Sequence, residues 1–124
     1  MKLIIGGAYQ GKLDFARNTY HLEDSDIFCC SGPEIDFSRK CICSIEKFTY
    51  ACVQEKRDAL EYFKENRTKW ADSILICQDI FCGVVPLGAD MRAWRQNTGL
   101  LCQYLAKEAD SISRIYCGLE QRLK

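Results

Sequence analysis

The chain has 124 residues, 48% of them apolar and 27% charged, and its 17 Lys and Arg balance its 17 Asp and Glu. That length makes one domain over residues 1–124, with no second full-size core, and zero net charge excludes a surface that is basic throughout, so nucleic acid is not expected as the main partner. No apolar run approaches the roughly 20 residues that span a bilayer, and the opening residues do not read as a secretory signal; the expectation is a soluble, cytoplasmic protein with no membrane partner.

Residues 2–5 read as a short buried strand that stops at Gly6 and Gly7. From 12 to 20, Leu13, Ala16 and Tyr20 recur at spacings of three and four, the period of a helix. Residues 26–30 form a second strand candidate, ended by the breaker cluster Ser31-Gly32-Pro33, and 31–39 reads as loop. A third strand is expected over 40–45. The stretch 46–69 reads as one helix, with Phe48, Cys52, Ala59 and Phe63 on its inner side. Its charged residues, among them Glu65 and Lys69 in the favourable order for a surface pair, read as a solvated face.

Residues 73–78 are the clearest buried strand, apolar almost throughout as a parallel strand covered on both faces requires. After Pro86 and Gly88, the residues Met91, Trp94, Thr98, Leu101 and Leu105 mark a helix. Met91 and Trp94 are candidates for an interface, with core packing as their plainer role. Residues 112–117 read as a last strand, closed by Gly118. Strands separated by helices give a mostly parallel sheet flanked by helices, the α/β class.

Nine cysteines are unusual for this length, and an odd count without a secretory signal argues against a disulfide framework. Cys29, Cys30, Cys41, Cys43, Cys77 and Cys117 sit in apolar stretches, where a reduced cysteine acts as a small hydrophobe. Cys41 and Cys43 would share one face of a strand, so a thiolate site is conceivable, but no CxxC pair occurs and His21 is the single histidine.

The segment Gly6-Gly7-Ala8-Tyr9-Gln10-Gly11-Lys12-Leu13 fits the phosphate-loop pattern GxxxxGK[ST] up to its last position. Glycines let successive backbone N–H groups turn inward as an anion nest, the next helix presents its positive end, and Lys12 would reach the outer phosphates as a point charge. The match falls between the first strand and the first helix, where such a loop belongs. Leu13 stands where Ser or Thr would ligate Mg²⁺. A second signal is Ile74-Leu75-Ile76-Cys77-Gln78-Asp79, an apolar strand ending in a carboxylate that can hold Mg²⁺ or its water shell beside a triphosphate.

With these residues in place, the chain resembles the bifunctional adenosylcobinamide kinase/adenosylcobinamide-phosphate guanylyltransferase family of cobalamin biosynthesis. Leu3 to Lys12 is similar to that family's "TGGARSGKS" start. Gln78-Asp79-Ile80-Phe81-Cys82-Gly83-Val84-Val85-Pro86 resembles its "NEVGMGIVP". Downstream, Arg92, Arg95, Gly99, Gln103, Ala106 and Ala109-Asp110 fall where its "ARxFRDxxGRxNQRLAxxADEV" helix has comparable residues. The resemblance implies a P-loop NTPase-like fold, binding of ATP or GTP, an oligomer, and phosphoryl transfer to a hydroxyl of a corrinoid substrate.

Departures from the family bear on mechanism. Besides Leu13, the family's third strand carries a carboxylate just before its Cys, and if Cys41 is that Cys the position is Lys40. Members of the family are also longer. The missing stretch follows the second strand and holds the histidine that accepts a guanylyl group; His21 lies before that strand, so the role is not carried to it.

The expectation is therefore a nucleotide-binding P-loop protein of the adenosylcobinamide kinase type. Residues 6–13 cradle phosphate, Lys12 and Asp79 are catalytic, and Asp79 is the metal-side carboxylate. The guanylyltransferase step is lost, the kinase step weakened, and Mg²⁺ is bound weakly or not at all. The alternatives are a non-catalytic nucleotide-binding sensor or partner subunit, and a cysteine-based redox or metal protein.

Overall fold

The computed structural model describes residues 1–80 and 87–124. Strand β1 (Lys2–Gly6) leads through a loop into helix α1 (Lys12–Tyr20), and a single turn of 3₁₀ helix precedes β2 (Ile27–Cys29). Strand β3 (Cys41–Cys43) is followed by three helices, α2 (Ile45–Gln54), α3 (Ala59–Glu65) and α4 (Arg67–Trp70). Strand β4 (Ile74–Gln78), helix α5 (Ala89–Glu108) and a hairpin of β5 (Ser111–Tyr116) and β6 (Leu119–Arg122) complete the chain. The class is α/β as expected. One six-stranded sheet runs in the order β2-β3-β4-β1-β5-β6, parallel throughout except for the antiparallel β6.

The central strands bury both faces, and their alternation divides the core in two. Ile4, Cys41, Cys43, Ile74, Ile76 and Ile115 face the α1 layer with Leu13, Phe15 and Ala16. Leu3, Ile42, Leu75, Cys77 and Ile112 face the opposite way, toward Phe48, Phe63, Trp70, Leu101 and Leu105 of the remaining helices. The connection from β1 to β2 and the connection from β4 to β5 run in opposite directions along the sheet, and their helices cover opposite faces. The two crossovers therefore share one hand, as parallel connections require.

Residues 46–69 do not form the single helix expected from periodicity. Lys56 adopts a left-handed φ of 55°, its N–H reaches back to Val53 O, and Arg57 N–H reaches Cys52 O. That is a Schellman termination with Lys where glycine usually stands, so no residue type announces it. Asp58 then caps α3 by accepting the Glu61 N–H at 3.1 Å. The inner residues Phe48, Cys52, Ala59 and Phe63 are all buried nonetheless, because the break keeps both helices on the same layer.

Strand β6 was not anticipated. Its turn places Cys117 at φ 52° and Gly118 at φ 76°, the paired left-handed geometry that matches the twist of a two-residue hairpin.

Cys30, Cys41, Cys43, Cys52 and Cys77 are buried, as apolar packing predicts, but Cys29 and Cys117 are exposed and do not act as core hydrophobes. Cys29 ends the edge strand β2, and Cys117 lies in the turn between β5 and β6. All eight described cysteines are free. No helix among the described residues is long and apolar enough to cross a membrane.

Candidate functional site

The loop after β1 owes its shape to three sets of contacts. Gly6 is needed at the strand end because a Cβ there would lie 2.6 Å from the Ile115 carbonyl oxygen and 3.3 Å from Lys12 carbons. Its own carbonyl accepts the Asp79 N–H at 2.7 Å, joining the loop to the end of β4. Beyond Gly7 and Ala8 the chain turns at Tyr9, with φ 58°, and again at Gly11, with φ 92°. Residues of this left-handed kind, set among ordinary ones, produce the inward-facing N–H groups of an anion nest. Helix α1 starts at Lys12, directly after Gly11 as its N-cap. The turn of the last hairpin holds the loop from outside: Gly118 N–H donates to Gln10 O at 2.9 Å, and Cys117 N–H donates to Gln10 Oε1 at 2.6 Å.

Lys12 is half-buried, and its Nζ donates to Gly7 O at 2.6 Å, so the ammonium lies over the loop it belongs to. Burial pushes its pKa below that of an ordinary lysine, and the charge of Glu46, with a smaller influence from Cys77, pulls it back.

A cleft of about 420 Å³ opens beside this lysine at the carboxyl-terminal ends of the strands. Its walls bring together Tyr9, Lys12, Leu13 and Asp14 with Cys29 from the end of β2, Cys43 and Ser44 from the end of β3, Glu46, and Gln78 from the end of β4. The carboxyl edge of a parallel sheet is where ligands of open α/β folds bind.

Glu46 belongs to the cleft wall although its place in the sequence marks it only as a helix residue. It follows β3 by three positions, sits in the first turn of α2, and is only 6% exposed. Its Oε2 accepts the Gln78 backbone N–H at 2.9 Å, bridging α2 to the end of β4. Its carbonyl accepts the Thr49 hydroxyl at 3.0 Å and the Trp94 indole N–H at 2.8 Å. A Glu at a helix start reads as a charge complementing the helix dipole; only the parallel pairing of β3 with β4 brings it to Lys12.

Asp79 follows β4 directly and stands beside the loop through its bond to Gly6, but the cleft wall at this strand end is formed by Gln78. Lys40, the position the resemblance gives to a carboxylate, lies at the opposite, amino-terminal end of β3. It is exposed and 3.8 Å from Asp26. His21 is an exposed left-handed residue capping the end of α1. Trp94 lies between α2 and α5 with its indole N–H fixed on Glu46 and Thr49, while Met91 is exposed. Of the family-like segment from Gln78 to Pro86, residues 81–86 lie outside the described residues, and Cys82 with them. Arg92, Arg95, Gly99, Gln103 and Ala106 all fall on α5.

Chemically, the cleft offers the half-buried Lys12 ammonium, the left-handed turn at Tyr9 and Gly11, and one nearly buried carboxylate. Leu13 supplies no oxygen. No group of three or more His, Cys, Asp or Glu side chains poised for a metal occurs among the described residues. A hard cation such as Mg²⁺, which keeps several waters and is held by one or two carboxylates plus phosphate oxygens, fits this donor set. No protein-family model matches the chain, and no curated protein sequence matches it either.

Proposed function

We propose that this chain binds a nucleoside triphosphate, ATP or GTP, on residues 6–13, and that its fold is of the P-loop NTPase kind. The observation that carries the reading is Lys12, at the start of α1, lying over a glycine turn and opening onto a cleft at the carboxyl edge of the sheet. Backbone N–H groups of the turn, with Gly6, Gly7, Ala8, Tyr9, Gln10 and Gly11 shaping it, would hold phosphate oxygens; Lys12 would leave Gly7 O to neutralise the outer ones. The chemistry proposed is transfer of a phosphoryl group to a substrate hydroxyl on the adenosylcobinamide kinase pattern, with a corrinoid as the candidate substrate. Such transfer is mostly positioning and charge neutralisation. Mg²⁺ when bound would neutralise the transferring phosphoryl oxygens, with Asp79 as the carboxylate expected from sequence.

Calorimetric titration with ATP and GTP, with and without Mg²⁺, beside Lys12→Ala tests the reading. Binding in the micromolar range that the variant loses supports it; absence of binding by either nucleotide refutes it. Leu13, which cannot ligate the cation, favours a second reading, a nucleotide-binding sensor or partner subunit that does not turn over. Binding with no conversion of the triphosphate to its diphosphate, with or without cobinamide, selects that second reading.

A further inference from the structure

We infer that Glu46, in place of the Asp79 expected from sequence, is the carboxylate through which this site takes a divalent cation together with a polyphosphate, an inference that rests on the nucleotide-binding reading above. Three observations converge on it. Glu46 is nearly buried yet forms part of the wall of the same cleft as Lys12 and the glycine turn. Among the described residues only its Oε2 has a hydrogen-bond partner, the Gln78 N–H. No buried side-chain oxygen or nitrogen among the described residues lacks a partner, so the uncommitted Oε1 keeps accessible surface, and the surface this residue contributes to is the cleft.

The electrostatics then discriminate between roles. A carboxylate facing bound phosphates repels them, and in a partly desolvated site the repulsion is not screened as it is in water. A cation between the two turns that repulsion into attraction, and a carboxylate with a free oxygen is the ligand such a hard cation prefers. Lys12 alone does not remove the conflict, because its one charge must serve both Glu46 and the phosphates. Leu13 makes the point sharper: with no hydroxyl at the end of the loop, a protein oxygen for the cation has to come from elsewhere. Glu46 is held where it can supply one by α2, by Gln78 N–H, and by the Trp94 and Thr49 bonds to its carbonyl.

The test uses the full chain and its Glu46→Gln variant, in which the carboxamide oxygen retains the acceptor for Gln78 N–H while the charge is removed. ATP and GTP are titrated by calorimetry in EDTA and in Mg²⁺, and free Mn²⁺ is followed by electron paramagnetic resonance as it is added to the protein–nucleotide mixture. The expected result is that Mg²⁺ strengthens binding to the parent chain by at least about tenfold. In the variant that gain and the Mn²⁺ uptake disappear, and affinity in EDTA stays the same or improves because a repelling charge is gone.

If the variant keeps the Mg²⁺ gain, Glu46 is not the ligand. If its affinity falls as much in EDTA as in Mg²⁺, Glu46 serves only as the counter-charge of Lys12; either result overturns the inference and leaves nucleotide binding intact. Absence of nucleotide binding by the parent chain overturns the underlying reading and this one with it. Should the variant not fold, cleavage of the parent chain by Fe²⁺ with ascorbate and peroxide, in the presence of nucleotide, maps the cation directly. Cuts flanking residue 46, together with cuts in the loop at 6–13 that faces it, support the assignment, and cuts that spare residue 46 refute it.

Discussion

The Cys117 backbone N–H donates to the side-chain oxygen of Gln10 at 2.6 Å, across 107 residues of sequence. With the adjacent Gly118 N–H on Gln10 O, it fastens the turn of the last hairpin to the glycine loop. The close approach of Gly118 to Gly11, where a Cβ on Gly11 would meet Gly118 Cα at 3.5 Å, belongs to the same joint. A strand that looks like a terminal appendage is thus a brace for the loop that holds Lys12.

Replacing Gln10 by Ala removes the side-chain half of that brace and leaves the backbone half. The expected loss of stability is about 0.5–1.5 kcal/mol, the usual net worth of one hydrogen bond. Nucleotide affinity should fall severalfold as the loop loosens. Urea unfolding and calorimetry measure the two effects, and an affinity unchanged from the parent would show that the hairpin supports the fold without shaping the loop.

Gly6 and Gly7 are adjacent, and their environments differ sharply. A Cβ at Gly6 meets backbone, the Ile115 carbonyl at 2.6 Å, whereas a Cβ at Gly7 meets only Gln10 Cγ at 3.6 Å. Gly6→Ala should therefore force β1 and β5 apart and cost on the order of 1–3 kcal/mol by overpacking, with Gly7→Ala close to neutral for folding. Parallel denaturation curves for the two variants decide it; equal effects would mean that Gly6 is not packed against β5 as described.

The loop and the sheet were legible because their signals are local. Gly6, Gly11 and Lys12 stand at a fixed spacing, and β1 and β4 carry continuous apolar runs. The break at Lys56 was hidden because a left-handed C′ residue other than glycine carries no composition mark. Strand β6 was hidden because all four of its residues are exposed, so it lacks the alternation that betrays a half-buried strand. Glu46 was hidden for a different reason. Its place in the cleft follows from the order β3-β4-β1, a tertiary fact that no spacing within residues 40–50 encodes. For the same reason the carboxylate implied at Lys40 could not be judged from sequence: it lies at the wrong end of its strand.

Thr49 organises the support of Glu46. Its hydroxyl donates to Glu46 O at 3.0 Å, lies 2.6 Å from the Thr98 hydroxyl and receives the Trp94 N–H at 3.1 Å, all between α2 and α5. Thr49→Val keeps the shape but strands the fully buried Thr98 hydroxyl. It should cost about 1–3 kcal/mol, the penalty of an unsatisfied buried polar group. The pair Thr49→Val with Thr98→Val should cost less than the sum of the two single changes, since both hydroxyls then leave together. A thermodynamic cycle measured in guanidinium gives the coupling; strict additivity would contradict the shared bond.

The thiols provide a separate check on the packing. Burial raises Cys30 and Cys41 to about 12 and Cys52 to about 11, and raises Cys43 as well. These four should stay protonated and slow toward an aromatic disulfide reagent near pH 8, because the thiolate is the reacting species. Cys29 and Cys117 are exposed and should react within the first phase. Mass mapping of modified sites in native and unfolded protein tells them apart, and rapid native labelling of Cys30 or Cys41 would contradict the layered core.

Lys12 gives the pH signature of the site, with opposite signs for folding and for binding. Burial lowers its pKa below 10.5, so the folded chain releases this proton earlier than the unfolded chain does. Between the lowered value and 10.5 the unfolded state binds more protons, and stability rises with pH through that window. Below the window the buried charge weighs against the fold. Phosphate binding needs the charge, so nucleotide affinity should instead fall over the same window, and bound phosphates should hold the proton to higher pH than the free site does. Unfolding and calorimetry on the parent chain and on Lys12→Met measure both slopes, the variant subtracting all other alkaline titrations. Stability and affinity falling together with rising pH would show that the ammonium is not desolvated at this cleft.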